Sequence, residues 1–375
     1  MGVKDFLRAC ALAALGAVAL SKPVYTHRRA AFFEAQKLAD PAYGPVPGQD
    51  PIFNTYWGKA PTWPGNLTDP VLPTKKGPPG VDDQVWQNLL AAEWIIFNFY
   101  QQAVEMFNET SFIAAGMPNT TYQRVKEIRN NEAGHLRIFQ NQISETSIKP
   151  GACKYHFPYY DPVSFLALGT VLEISSMAFL TGLVQQVKLD KAKGAMLTIA
   201  ETETRHEVWA LMDIWKVNPL GGPSDTVFPY ANEVLGSTSN LVVAGSCPKE
   251  NPEYPYPNQR LPALSASKNT TSFVPGATID LAFSDPKNQP KFVPGKQYYA
   301  VFFHGLKNIT VPIDTCDWPK KSINVTIPAK FEQKGVIATV IADTPGAPTK
   351  DTIVAGPGII LEQPEPLGVK LAQLS

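Results

Sequence analysis

Two short motifs in this 375-residue chain set a carboxylate three residues before an imidazole: Glu132-Ala-Gly-His135 and Glu203-Thr-Arg-His206. On a helix, a three-residue step stacks both side chains on one face, so both reach the same ion. With 17 glutamates and five histidines in the chain, chance supplies roughly 0.2 such pairs, and two of them form a signal. Two further glutamates, Glu93 and Glu173, interrupt apolar runs, between Leu90 and Ile96 and between Leu172 and Met177. Glu132 likewise lies between Ile128 and Leu136, and Glu203 between Ile199 and Ala210. A carboxylate turned into an apolar core is prohibitively costly unless it is paired or bound to metal. Arg129 and Arg205 sit just off these stripes and at most support ligands from outside. The four carboxylates and two neutral imidazoles sum to four negative charges, which two divalent cations cancel. Mixed nitrogen and oxygen ligation with open positions suits iron, with manganese as the alternative. Two such ions, each changing by one electron, supply the chemistry for reducing dioxygen or peroxide. Beyond these six residues no catalytic side chain stands out; Tyr100, seven residues after Glu93, is either a core aromatic or an electron relay.

Proline spacing shows which elements must position these ligands. Residues 41–80 hold ten prolines and describe an extended, wrapping arm. Prolines then become rare over 81–117, 119–149 and 163–218. The last block divides near Asp190–Gly194, giving four helix-length segments. Each carries a helical stripe: Trp86, Leu89, Leu90, Ile96, Phe97, Tyr100, Val104 and Phe107; Val125, Ile128, Leu136, Phe139 and Ile143; Phe165, Leu166, Leu172, Leu180 and Val184; Met196, Ile199, Ala210 and Ile214. Asp82 and Asp190 stand where N-caps for the first and fourth segments belong. Four amphipathic helices in succession predict a four-helix bundle, with the 150–162 connection crossing it. One Glu from each of two helices and Glu-x-x-His from each of the other two is the ligand set of the ferritin-like dinuclear carboxylate proteins.

Beyond about residue 245 the period changes to two. Ile279, Leu281 and Phe283 alternate with polar or small residues, as do Ile309, Val311 and Ile313, and Ile323, Val325 and Ile327. Strands are also expected at 298–303, 335–342 and 352–361, which together predict a small antiparallel, immunoglobulin-like sandwich. His304 reads as a strand residue rather than a ligand. The expected organisation is a signal peptide at 1–21, a proline-rich arm at 22–80, the bundle at 81–218, a proline-rich linker wrapping the bundle at 219–265, and a smaller all-β sandwich at 266–375.

Lys4 and Arg8 precede the apolar run Ala9–Leu20, followed by small residues, the pattern of a secretory leader. About twelve apolar residues fall short of the roughly 20 that span a bilayer, and no other segment reads as transmembrane, so no stable membrane insertion is expected. Six Asn-x-Ser/Thr sequons, at Asn66, Asn108, Asn119, Asn269, Asn308 and Asn324, agree with export and glycosylation. Equal numbers of basic and acidic residues, 33 each, argue against a nucleic-acid partner. Cys10 leaves with the leader, and three pairings among Cys153, Cys247 and Cys316 remain open. None has the spacing of a zinc site.

The stretches Cys153-Lys-Tyr-His-Phe-Pro, Val171-Leu-Glu-Ile-Ser-Ser, Glu203-Thr-Arg-His206 and Gly245-Ser-Cys-Pro-Lys-Glu-Asn-Pro252 resemble the secreted fungal ferritin-like proteins named for stress response or late sexual development, the LsdA-like group. The resemblance spans about residues 80–265 and includes all six candidate ligands. It implies a ferritin-like bundle and a Cys153–Cys247 disulfide, with Cys316 unassigned. Many relatives carry Gly-Val-Gly after the third-helix glutamate, whereas this chain has Ile174-Ser175-Ser176. The function expected is that of an extracellular di-iron oxidoreductase, a ferroxidase, oxidase or peroxide-removing enzyme. Two alternatives stand beside it: a manganese catalase-like enzyme, and a non-catalytic structural protein associated with a cell-wall component.

Overall fold

The computed structural model describes residues 68–222, 235–236, 238–267, 270–283, 285–305, 307–331 and 335–361. The expected signal peptide, residues 22–67 of the arm, Asn66 and Asn269 lie outside the described residues. Five helices come first: α1 (Asp83–Met106), α2 (Glu109–Ala114), α3 (Thr121–Gln142), α4 (Pro162–Leu183) and α5 (Asp190–Trp209), the last running into a π-helical turn, Ala210–Ile214. Helices α1 and α3 pair closely, as do α4 and α5, and the contacts of α1 with α4 and α3 with α5 close the four long helices into a bundle.

The proline-poor block 81–117 is two helices rather than one. At Phe107 the backbone turns extended (φ −113°, ψ 158°), and Asn108 starts α2 with a capping box. Its Oδ1 accepts from the Ser111 amide at 3.0 Å, and the Ser111 hydroxyl accepts from the Asn108 amide at 2.8 Å. Helix α4 opens the same way: the Asp161 carboxylate accepts from the Ser164 amide at 2.6 Å, with Pro162 in the first turn, where a missing N–H costs nothing. The two expected caps have other roles. Asp82 makes no cap bond; its carboxylate accepts from the Lys188 and Leu189 amides at 2.7 and 3.0 Å, tying the start of α1 to the start of α5. Asp190 is already inside α5, whose N-cap is Leu189, and it pairs instead with Lys193 at 3.0 Å.

Contrary to the expectation for the mature chain, α4 is long and apolar enough to cross a membrane by composition. Of its 18-residue window, 78% is buried, so its apolarity is that of a helix enclosed by the bundle on nearly every face.

Between α3 and α4 the chain forms a ribbon over 149–156, gripped from both sides. Lys149 bridges to Val71, and the Ala152 amide donates to Thr68 at 2.8 Å. On the other side Tyr155 bridges to Val242, the Asn251 amide side chain bonds both the N–H and the C=O of Gly151, at 2.9 and 2.8 Å, and Cys153 is joined to Cys247. The disulfide implied by the resemblance is therefore present, and Cys316 is free and exposed. A β-carbon at Gly151 stands 2.5 Å from both the Thr68 oxygen and the Pro70 nitrogen. Because both are backbone atoms, Gly151→Ala is expected to lower stability by about 1–3 kcal/mol, read from urea unfolding; an unchanged midpoint overturns the close-packing argument.

Seven strands follow: β1 (Leu264–Ala266), β2 (Thr278–Phe283), β3 (Tyr298–His304), β4 (Lys307–Ile313), β5 (Ile323–Thr326), β6 (Val336–Ala342) and β7 (Ile353–Leu361). They form two antiparallel sheets, β1-β2-β5 and β4-β3-β6-β7. Ile279, Leu281, Ile323 and Val325 of the first sheet meet Ala300, Phe302, Ile337 and Ile341 of the second in one core, which makes the pair a sandwich. Relative to a constant-type immunoglobulin domain, the fourth strand lies beside the third instead of in the sheet of the first, second and fifth. Asn308 on β4 and Asn324 on β5 are exposed. His304 is a buried strand residue whose Nδ1 lies 2.9 Å from the Val336 oxygen. Val336 of β6 also packs against Ala167, Ile174 and Met177 of α4.

Candidate metal centre

Each of the six predicted ligands lies within a long helix: Glu93 on α1, Glu132 and His135 on α3, Glu173 on α4, Glu203 and His206 on α5. The bundle brings all six together. None exceeds 5% exposure. Two ligand groups result, Glu93, Glu132, His135 and Glu203, and Glu132, Glu173, Glu203 and His206, with the donor atoms of each within 4.8 Å of one another. Glu132 and Glu203 belong to both.

This sharing is visible atom by atom. Glu132 places Oε2 3.0 Å from His135 Nδ1 and Oε1 3.2 Å from His206 Nδ1. Glu203 does the same, with Oε1 at 3.2 Å from His135 and Oε2 at 3.4 Å from His206. Glu93 faces only His135, at 3.3 Å, and Glu173 only His206, also at 3.3 Å. Both imidazoles thus turn Nδ1 toward the carboxylates. Two of these contacts are hydrogen bonds, His135 Nδ1 with Glu132 Oε2 and His206 Nδ1 with Glu173 Oε2, but Glu93 Oε1, Glu132 Oε1 and both oxygens of Glu203 are buried without a hydrogen-bond partner. Buried acceptors left this way cost stability unless something positive satisfies them. The donor set therefore fits two cations.

Electrostatics supports the same view. Burial, then the neighbouring Glu132 carboxylate, pushes Glu93 well above the usual carboxylate range, and burial with Glu203 does so for Glu173. Burial also acts upward on Glu203, but its contacts with His135 and His206 outweigh it and hold the group well below that range. Burial disfavours both imidazolium ions, yet the surrounding carboxylates raise His135 and His206 well above the ordinary histidine value. The cluster draws positive charge to itself.

Aromatic rings wall the site. Phe139 lies 6.4 Å from the His135 ring and 5.6 Å from Trp86; Phe99 and Phe165 stack at 4.8 Å beside Tyr100. Tyr100 donates a short hydrogen bond to Glu173 Oε1. Burial and the Glu173 charge hold its phenol well above the ordinary value, so it stays a donor. Arg129 bonds Gln101 and Asn130, and Arg205 bonds Thr202, and none of these hydrogen bonds goes to a carboxylate of the cluster. In the stretch Ile174-Ser175-Ser176 that follows Glu173, Ser175 and Ser176 are buried, and the Ser176 hydroxyl has no hydrogen-bond partner.

One supporting residue escapes sequence reasoning. The Asn131 amide nitrogen lies 3.0 Å from His206 Nε2. With the amide turned over, its oxygen accepts from Nε2–H, leaving Nδ1 free for a cation. Asn131→Ala is expected to weaken metal binding about 10–100-fold, with Asn131→Asp restoring most of it. Equal affinities in all three proteins, by competition with a chromogenic chelator, refute this positioning role.

A family profile described as a ferritin-like domain matches residues 81–212, the stretch that contains all six ligands, and the bundle is accordingly a ferritin-like domain. No curated protein matches the chain.

Proposed function

We propose that this chain is a secreted di-iron oxidoreductase acting on dioxygen or peroxide, in stress protection or development, as in the fungal proteins it resembles. The observation that carries this reading is the shared position of Glu132 and Glu203, whose oxygens face both imidazoles with no other partner. Glu93 and His135 would complete one ion's ligands, and Glu173 and His206 the other's. When bound, the two ions supply paired one-electron changes suited to two-electron reduction of an oxygen species. The chain's own part is to exclude water by burying every ligand, to hold Glu173 through the Tyr100 hydroxyl, and to keep charge concentrated between aromatic walls. Export is supported by the Cys153–Cys247 bond and by the exposed sequon residues Asn108, Asn119, Asn308 and Asn324.

Because the carboxylates hold protons on His135 and His206, an entering cation must displace them. Metal affinity is expected to rise with pH from about pH 5 and to go on rising well above about pH 6.5, the ordinary histidine value, because proton competition ends only past the raised values. Calorimetric titrations that give the same affinity across this range contradict the proton competition. The functional test is elemental analysis of the purified chain, with and without added Fe(II), followed by an optical spectrum after peroxide. About two irons per chain and a peroxide-dependent change support the proposal. Two manganese ions redirect it to peroxide dismutation, and bound metal with no spectral response makes the site structural.

A further inference from the structure

Away from the metal centre, the segment leaving the bundle and the sandwich enclose a cleft of about 430 Å³, within the roughly 300–1,000 Å³ of small-molecule sites. Residues of 236–263 form one wall, and Asp285, Lys287, Asn288 and Gly356 form the other. Its polar groups are unusual in two respects. Arg260 adopts φ +52°, a left-handed conformation that L-residues other than glycine take at a cost. That backbone is clamped in place: the Arg260 amide donates to Asn258 Oδ1 at 2.8 Å, and Asn288 Nδ2 donates to the Arg260 carbonyl at 2.9 Å. Gln259 spends its amide nitrogen on the Lys350 carbonyl at 3.2 Å, while its Oε1 is buried with no hydrogen-bond partner. Strain in one residue and an orphaned acceptor in the next, both lining one cleft, point to a ligand.

We propose that this cleft binds a hydroxyl-rich monoanion of the sugar-acid class. Side-chain amides at Asn240, Asn258, Gln259 and Asn288 line it, and an amide, like a sugar hydroxyl, needs both a donor and an acceptor opposite it. Two cations face one carboxylate. Asp285 Oδ1 already accepts from the Lys287 amide at 2.8 Å, and among the described residues Lys287 has no ion pair. Arg260 pairs with Glu253 only at the surface, at 3.2 Å and 78% exposure, a bond a ligand carboxylate readily replaces. The described lining contains no aromatic ring on which a neutral sugar stacks, so charge must supply the binding.

The test is calorimetric or NMR titration of the full chain with D-glucuronate, D-glucose and inorganic phosphate. Saturable glucuronate binding is expected, weakened about tenfold or more in Lys287→Ala and in Arg260→Gly. Arg260→Gly also separates binding from folding, since glycine accepts this φ freely; its thermal midpoint should not fall. Should Arg260→Gly fail to fold, Lys287→Ala decides alone. The proposal is overturned by absent glucuronate saturation, by glucose or phosphate binding as tightly as glucuronate, or by variants that bind like the parent.

Discussion

Glu203→Ala is expected to empty the site of both ions, whereas Glu93→Ala removes about one of two. The asymmetry follows from geometry: Glu203 and Glu132 each set one oxygen toward His135 and the other toward His206, while Glu93 faces His135 alone. Glu132→Ala should match Glu203→Ala, and Glu173→Ala should match Glu93→Ala. Metal content by elemental analysis is one readout. Thermal stability is the other, because a metal at 100 times its Kd adds about 2.7 kcal/mol, a gain that vanishes in the Glu203 and Glu132 variants. Complete loss from Glu93→Ala would mean that the two ligand groups do not act as a pair with shared bridges.

The second large effect belongs to the disulfide. Cys153 and Cys247 lie 94 residues apart, and closing a loop of that length removes enough chain entropy from the unfolded state to contribute about 4–5 kcal/mol. Cys153→Ser with Cys247→Ser should lower the unfolding free energy of the metal-free bundle by about that amount. Cys316→Ser, at an exposed unpaired thiol, should change nothing. A cost under about 1 kcal/mol for the double variant would show that the ribbon's hydrogen bonds to 241–251 already restrict the unfolded chain without the covalent link.

The bundle and its six ligands were legible because charge in an apolar stripe is conspicuous and the i, i+3 step is intrinsic to a helix. Asn131 was not: it follows Asn130 on a helix rich in polar residues, where one half-buried amide looks like any solvated one. Helix α2 was hidden because no proline separates it from α1; the break rests on the Asn108–Ser111 box, a pattern that occurs in many loops. Asp82 misled for a related reason. Its position before α1 fits a cap, but the partners that won its carboxylate, the amides of residues 188 and 189, lie more than a hundred positions away. In the sandwich, alternation located β2, β4 and β5, and the further strands expected at 298–303, 335–342 and 352–361 are β3, β6 and β7, while three-residue β1 is too short for period to register. The sheet to which β4 belongs depends on pairing, which alternation does not encode.

The division of ligands along the chain also sets an order of assembly. Glu93, Glu132 and His135 precede the covalent ring closed at Cys153, and Glu173, Glu203 and His206 lie within it. Each ligand group draws on both sides. A nascent chain that has completed only α1 and α3 therefore owns three of the four ligands of one group, one of the four of the other, and the whole of neither. Neither group is complete until α5 has been synthesised and docked, since Glu203 belongs to both, so bound ions would act as a late clasp between two parts of the chain, and occupancy would report a finished bundle.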